Sequence, residues 1–308
     1  MADNARLARG IGMVKGVLAS VLASVMFGLL YAMAPWLAPL DGEQIFGWRV
    51  VVTLPFTTAL LWLLQEQGQL KAMVARVRAQ PSLVLGLLAS AALLGVQLWL
   101  FMWAPLHGKA LPVSLGYFLL PLILVLAGRL LFQERLTRPQ MLAAVLASLG
   151  VAWELWRAGG LALETGIVCL GYPVYFALRR KLGTDNLGGH WLDMALLVPA
   201  ALWFMARAPS GLLVWQSASH LQAMLPLLGV VSAAGLALYM LASRWLPMGL
   251  FGLLSYVEPA LLALVALLLG EQLAPGQQPL YIAIFAAVAV LVVEAVVQLR
   301  QERLRKVV

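Results

Sequence analysis

Apolar residues gather along the chain into ten runs, at roughly 14–35, 45–65, 82–103, 111–131, 139–156, 162–181, 190–207, 221–243, 249–269 and 280–299. Short connectors rich in glycine, proline and basic residues part them. Each run is about 18 residues or longer, the length at which a helix crosses a ~30 Å hydrocarbon layer. In the two shortest breaks, LHGKALP (106–112) and RWLPMG (244–249), Pro112 and Pro247 with nearby glycines fit tight turns between helices. The pattern predicts an all-α polytopic membrane protein with ten transmembrane helices. The first run follows Arg6, Arg9 and Lys15 as a signal peptide would, yet it shows no convincing small-residue cleavage site. It is expected to remain as the first helix.

Composition agrees with this picture. The 308 residues are 63% hydrophobic and 11% charged, against about 25% charged in a soluble domain. A formal charge of +8 would suggest nucleic acid in a soluble chain. Here the basic residues sit in connectors, where anionic lipid and the positive-inside bias account for them, and no basic stripe is left for a nucleic acid. The single Cys169 excludes a disulfide framework within the chain. His107, His190 and His220 lie in connectors or at helix ends without metal-ligand spacing, so neither metal nor cofactor is expected.

Charge also sets an expected direction. With the N-terminus inside, 17 of the 21 Lys and Arg fall on the inner side, leaving only Arg49, Lys109, Arg157 and Arg207 at the other. Both termini are then cytoplasmic, and in a bacterial host the membrane is the inner one.

Two stretches echo each other, SLGYFLLPLILVLAGRLLFQERL (114–136) and LLSYVEPALLALVALLLGEQL (253–273). Each has a tyrosine, a proline three or four residues later, a Leu/Val/Ala run, and then glutamate. They close spans four and nine. Because five is odd, two five-helix repeats, 1–157 and 158–308 with its basic tail, would cross the membrane in opposite senses. That is the inverted arrangement of many secondary transporters. Small-residue series, Gly16 to Gly28 in the first helix and Gly229, Ala233 and Ala237 in the eighth, allow close helix packing or a dimer surface. They leave open whether the protein is monomer or dimer.

Few polar groups enter the spans. Arg49, at the mouth of span two, either snorkels to head groups or meets an anion, and Asp41 and Glu43 in the preceding loop can neutralise it. Glu258, about nine residues into span nine and beside Pro259, either binds cargo or a coupling proton or bonds a neighbouring helix. Glu154 and Glu294 fit shallow positions near the interfaces, and Glu134 and Glu271 fit caps or repeat-specific packing. Tyr117, Tyr172, Tyr175 and Tyr256 are deep or next to Pro or Gly and are candidates for a cavity wall, as are Tyr31 and Trp103, with Gln97 adding a neutral donor and acceptor. No phosphate-cradling Gly-rich loop and no nucleophile with a positioned base is visible, so neither a nucleotide-driven pump nor an enzyme is expected.

SVMFGLLYAMAP (25–36), EQIFGWRVVVTLP (43–55) and the paired Pro-to-Glu helices resemble the drug/metabolite transporter superfamily, its EamA-type, RarD-like branch. Trp48 stands where a histidine commonly precedes the helix-two arginine in that branch. The resemblance covers essentially the whole chain and implies an inner-membrane exporter of small metabolites, often amino acids or related compounds, by alternating access. The chain also resembles EamA-type exporters of opine metallophores such as pseudopaline. The expected function is secondary export of a small polar or amphipathic metabolite, with protons as the candidate coupling ion and membrane lipids as surroundings. A membrane scaffold or receptor without transport stands as the alternative.

Overall fold

The computed structural model describes residues 2–107, 109–208, 218–261 and 276–307. These residues form helices: α1 (Ala2–Met33), α2 (Gly42–Leu63), α3 (Gly68–Ala79), α4 (Leu83–Leu106), α5 (Ala110–Phe132), α6 (Arg138–Ala158), α7 (Leu163–Leu182), α8 (Leu187–Arg207), α9 (Leu221–Trp245), α10 (Met248–Leu254) and α11 (Gln278–Val307). Among the described residues six helices are long and apolar enough to span a membrane: Gly12–Leu30, Gly42–Leu63, Leu83–Ala104, Pro112–Phe132, Leu187–Arg207 and Leu221–Trp245. Met248–Leu261 and Gln278–Glu294 are shorter apolar helices. The protein is an all-α polytopic membrane protein.

Local chemistry explains several helix boundaries. Asp41 caps α2 by accepting from Gln44 N at 2.8 Å while the Gln44 side chain accepts from Asp41 N, and Thr137 and Gln140 repeat this reciprocal pair at α6. Gly159, with φ of +79°, ends α6 in the left-handed conformation that glycine adopts without penalty. Asn186 caps α8 through Gly189 N at 2.9 Å.

The polar connector after α2 folds as a helix, which the hydropathy pattern did not predict. Met73 of α3 is buried against Leu83 and Leu87, with Val77 and Leu182 beside it. Gln69 accepts from Gly188 N, and Arg76 donates to the carbonyls of Leu182 and Gly183. Arg76, which reads in the sequence as one of the inner-side charges, thus also caps the last carbonyls of α7.

The chain divides into two compact units, one built from Met1–Val25, Ser114–Pro173 and Leu241–Val308, the other from Met26–Val113 and Val174–Met240. In the first, α6 lies on α11 so closely that a Cβ on Gly150 would come within 2.7 Å of Ala283 Cβ. Thr137 Oγ1 and Gln140 Nε2 donate to Glu294. Glu154 is buried and ion-paired with Arg157, and Gln277 Nε2 donates to it. In the second unit, α2 lies on α8 at Gly47, where a Cβ would meet Met205 Cγ at 2.5 Å and the Ala201 carbonyl at 2.9 Å. Gly229 gives α9 the same closeness to Val52 and Phe56 of α2. The small-residue faces are used inside the chain: Ala19, Ser20, Ala23, Ser24, Ala233 and Ala237 are all buried.

Glu134 acts as a cap, for a helix far away in sequence. Its carboxylate accepts from Met248 N at 2.8 Å and Gly249 N at 2.9 Å, the first two residues of α10. Glu271 lies outside the described residues. Substituting Glu134→Ala leaves both N–H groups without this acceptor and should cost about 1–2 kcal/mol. Glu134→Gln, which keeps one acceptor, should cost less. Unfolding of the purified protein in mixed micelles measures both, and equal stability of all three proteins would contradict the cap.

Candidate functional site

Polar chemistry within the helices falls into three places. In the second unit, Arg49 is turned inward from α2, 4% exposed, and its Nε donates to Ser232 Oγ of α9 at 2.9 Å. Thr53 and Thr57 follow at four-residue spacing, both fully buried, so α2 carries a polar row on its packed face. Thr57 returns its hydroxyl to the Thr53 carbonyl at 2.9 Å. Asp41, offered by the sequence as a counter-charge, serves as the α2 cap. Gln97 is buried in the middle of α4. Trp103, one turn and a half further on, stacks between Trp99 (5.2 Å, 29°) and His107 (4.2 Å, 13°).

The second place is in the first unit. Tyr117 of α5 and Tyr172 of α7 are half-buried with ring centroids 6.2 Å apart. The fully buried Tyr256 hydroxyl donates to the Phe118 carbonyl at 2.8 Å, tying the chain after α10 to α5 just before Pro121. Glu258, two residues beyond, is half-buried. Of the residues singled out in the sequence, Tyr117, Tyr172, Tyr256 and Glu258 therefore belong to the first unit, and Arg49, Gln97, Trp103 and Tyr175 to the second. The Tyr31 side chain lies outside the described residues.

The third place went unseen in the sequence as a cluster, although Tyr175 was named as a cavity candidate and His190 as a histidine near a helix end. Arg179, near the end of α7, is 1% exposed and donates through Nη1 to Asp193 Oδ2 of α8 at 2.8 Å. That same oxygen accepts from Tyr175 Oη at 2.9 Å, and Arg179 also donates to Tyr175 Oη. Its other nitrogen, Nη2, donates to the Thr184 and Asn186 carbonyls in the α7–α8 turn. His190 is fully buried one turn before Asp193. Arg179 reads in the sequence as one more inner-side charge because Arg180 and Lys181 follow it, whereas the signal that marks the cluster is Asp193, an aspartate within an apolar span.

An arginine and an aspartate buried inside apolar helices joined by short connectors suit a membrane carrier. The sequence model of the EamA-like transporter family matches residues 14–155. An uncharacterized transporter of Pasteurella multocida is 41% identical over 289 residues, covering 94% of this chain and 99% of its own. The chloramphenicol-sensitive protein RarD of Pseudomonas aeruginosa is 41% identical over 275 residues, 89% of this chain and 92% of that one. Protein RarD of Escherichia coli is 28% identical over 83% and 86% of the two chains. A solved crystal structure aligns with a TM-score of 0.64 over 90% of this chain and 98% of the other at 18% identity, a likeness of fold. Membrane helices, buried charges and full-length likeness together place this chain in the EamA/RarD-like family of drug/metabolite transporters, as a transporter and not an enzyme.

Proposed function

We propose that the protein is a secondary active exporter of a small polar or amphipathic metabolite, working by alternating access in the inner membrane. In this reading ten spans form two inverted five-helix repeats, 1–157 and 158–308, with both termini cytoplasmic. The basic connectors support the orientation, and the echo between 114–136 and 253–273 supports the repeat. The observation that carries the reading is Arg49: a guanidinium buried in an apolar helix and held from Nε by the Ser232 hydroxyl. An intramembrane arginine is costly unless it meets a partner or wet space. Already held by protein partners, the guanidinium is suited to exchanging contacts with an acidic group on the cargo, which fits amino-acid-like compounds and, among them, carboxylate-rich metallophores. Tyr117, Tyr172, Tyr256, Gln97 and Trp103 supply aromatic and neutral polar surface, and Glu258 binds cargo or the coupling proton.

The test begins by comparing intracellular and extracellular metabolites in deletion and complemented cells. A compound that accumulates inside and falls on complementation is then followed in proteoliposomes under an imposed pH gradient. We expect Arg49→Gln to lower flux at least about tenfold and Arg49→Lys to retain part of it, since a lysine keeps the charge but not the fork. Glu258→Gln should make the remaining flux indifferent to the gradient. Full flux in folded Arg49→Gln protein rules out the role given to that residue, and no flux of any accumulating compound rules out export.

A further inference from the structure

The α7–α8 cluster holds more buried polarity than its internal bonds use. Ser90, Tyr175, Arg179, His190 and Asp193 are each no more than 1% exposed. Asp193 receives both its donors on Oδ2. Its Oδ1, both ring nitrogens of His190, Arg179 Nε and Ser90 Oγ have no hydrogen-bond partner among the described residues. The Ser90 hydroxyl lies beside the Asp193 carboxylate. Unpaired polar atoms in a buried site are costly, and five gathered at one place ask for a ligand.

The chemistry of these five selects the ligand. His190 and Asp193 are three residues apart and share a face of α8. The Arg179 guanidinium, bonded to Asp193, sets a positive charge beside the pair, which disfavours a metal cation. A proton on Asp193 Oδ1 adds an O–H donor, for which an unpartnered His190 ring nitrogen one turn away on α8 is the acceptor once the two side chains close to bonding distance, while Oδ2 keeps its bonds from Tyr175 and Arg179. Arg179, no longer facing an anion, remains held by the Thr184 and Asn186 carbonyls, with Asp185 acting on it from the turn. The other surroundings are Ser90 from α4, the Met240 sulfur of α9 at 3.8 Å from Tyr175 Oη, Thr58 of α2 on Trp191, and Gln69 and Arg76 of α3 on Gly188 and the end of α7.

We propose that Asp193 and His190 form a proton-binding site: a proton taken from water at the α7–α8 turn bonds to Asp193 Oδ1 and is shared with the His190 imidazole. Asp193 lies six residues into α8, about 9 Å from its start, a short path from the turn. Binding weakens the ion pair and frees Tyr175, which stands two residues after the helix-interior Pro173. At Pro173 α7 loses a backbone donor and the first compact unit ends. Use of this proton to drive export rests on the transport reading, whereas its binding does not.

The test uses the purified full chain in lipid without cargo. Infrared spectroscopy follows the protonated-carboxyl band from about pH 8 to about pH 5, and hydrogen exchange follows the segment 182–190. We expect a band worth one carboxyl that Asp193→Asn abolishes. We also expect exchange in 182–190 to rise at least about threefold at low pH in the unaltered protein only. A folded Asp193→Asn protein with an undiminished band overturns the site. Should Asp193→Asn fail to fold, Tyr175→Phe and His190→Gln decide, since each alters a group bonded to or sharing the proton and must move the band's midpoint by about half a pH unit or more. An unmoved midpoint in both overturns the proposal. Proton binding without any cargo flux counts against export alone, and flux without a titrating Asp193 counts against this site alone.

Discussion

Replacing Arg179 with alanine is expected to destabilise the protein by about 3–5 kcal/mol, the cost of leaving a buried carboxylate without its partner. The change removes the ion pair with Asp193 and the donors to the Thr184 and Asn186 carbonyls. Arg179→Met combined with Asp193→Leu should recover at least about 2 kcal/mol of that loss, because an apolar pair of similar volume carries no desolvation cost. Unfolding of the purified proteins in mixed micelles reads both values. A double variant no better than the single one would mean that the carbonyl bonds, and not the charge pair, hold the turn.

Gly189→Ala should be nearly as damaging, at about 3 kcal/mol. A Cβ there would stand 2.1 Å from the Thr184 carbonyl oxygen and 3.0 Å from its carbon, both backbone atoms. The turn would have to move, and with it the carbonyl that Arg179 binds and the Gly189 N–H that Asn186 caps. Gly166→Ala in α7 is the matched control, since nothing lies within 4 Å of the added atom, and a small gain of under about 1 kcal/mol is expected from helix propensity. Equal effects from the two substitutions, seen in the same unfolding measurement, would contradict the close contact at the turn.

The three polar places differ in how far the sequence revealed them. Long apolar runs foretold the membrane helices, because a helix that crosses lipid has to satisfy its backbone internally and cover itself with apolar side chains. Arg49 stood out as a candidate for the same reason, although the sequence left open whether it snorkels to head groups or meets an anion. Its partner Ser232 was not, since a serine one hundred and eighty-three positions away carries no pattern. Arg179 was misleading, as it sits with Arg180 and Lys181 in a basic triplet while its helical phase turns it inward alone. Helix α3 was missed because its apolar face is narrow, with only Met73 buried, between charges that hydropathy reads as a loop. Glu134 announced a cap but not its recipient, which is set by packing within the first unit.

The interleaving of the two units bears on how the chain is made. The unit built from Met26–Val113 and Val174–Met240 has all its helices once α9 has left the ribosome. The other contains α1 as far as Val25, yet waits for Leu241–Val308. Its early helices must pass through the translocon and remain in lipid without their packing partners, above all α6, whose Gly150 face stays open until α11 arrives. Nascent chains stalled before α11 should therefore be digested by protease preferentially in the α5–α6 region, while the α2–α8 pair is already shielded.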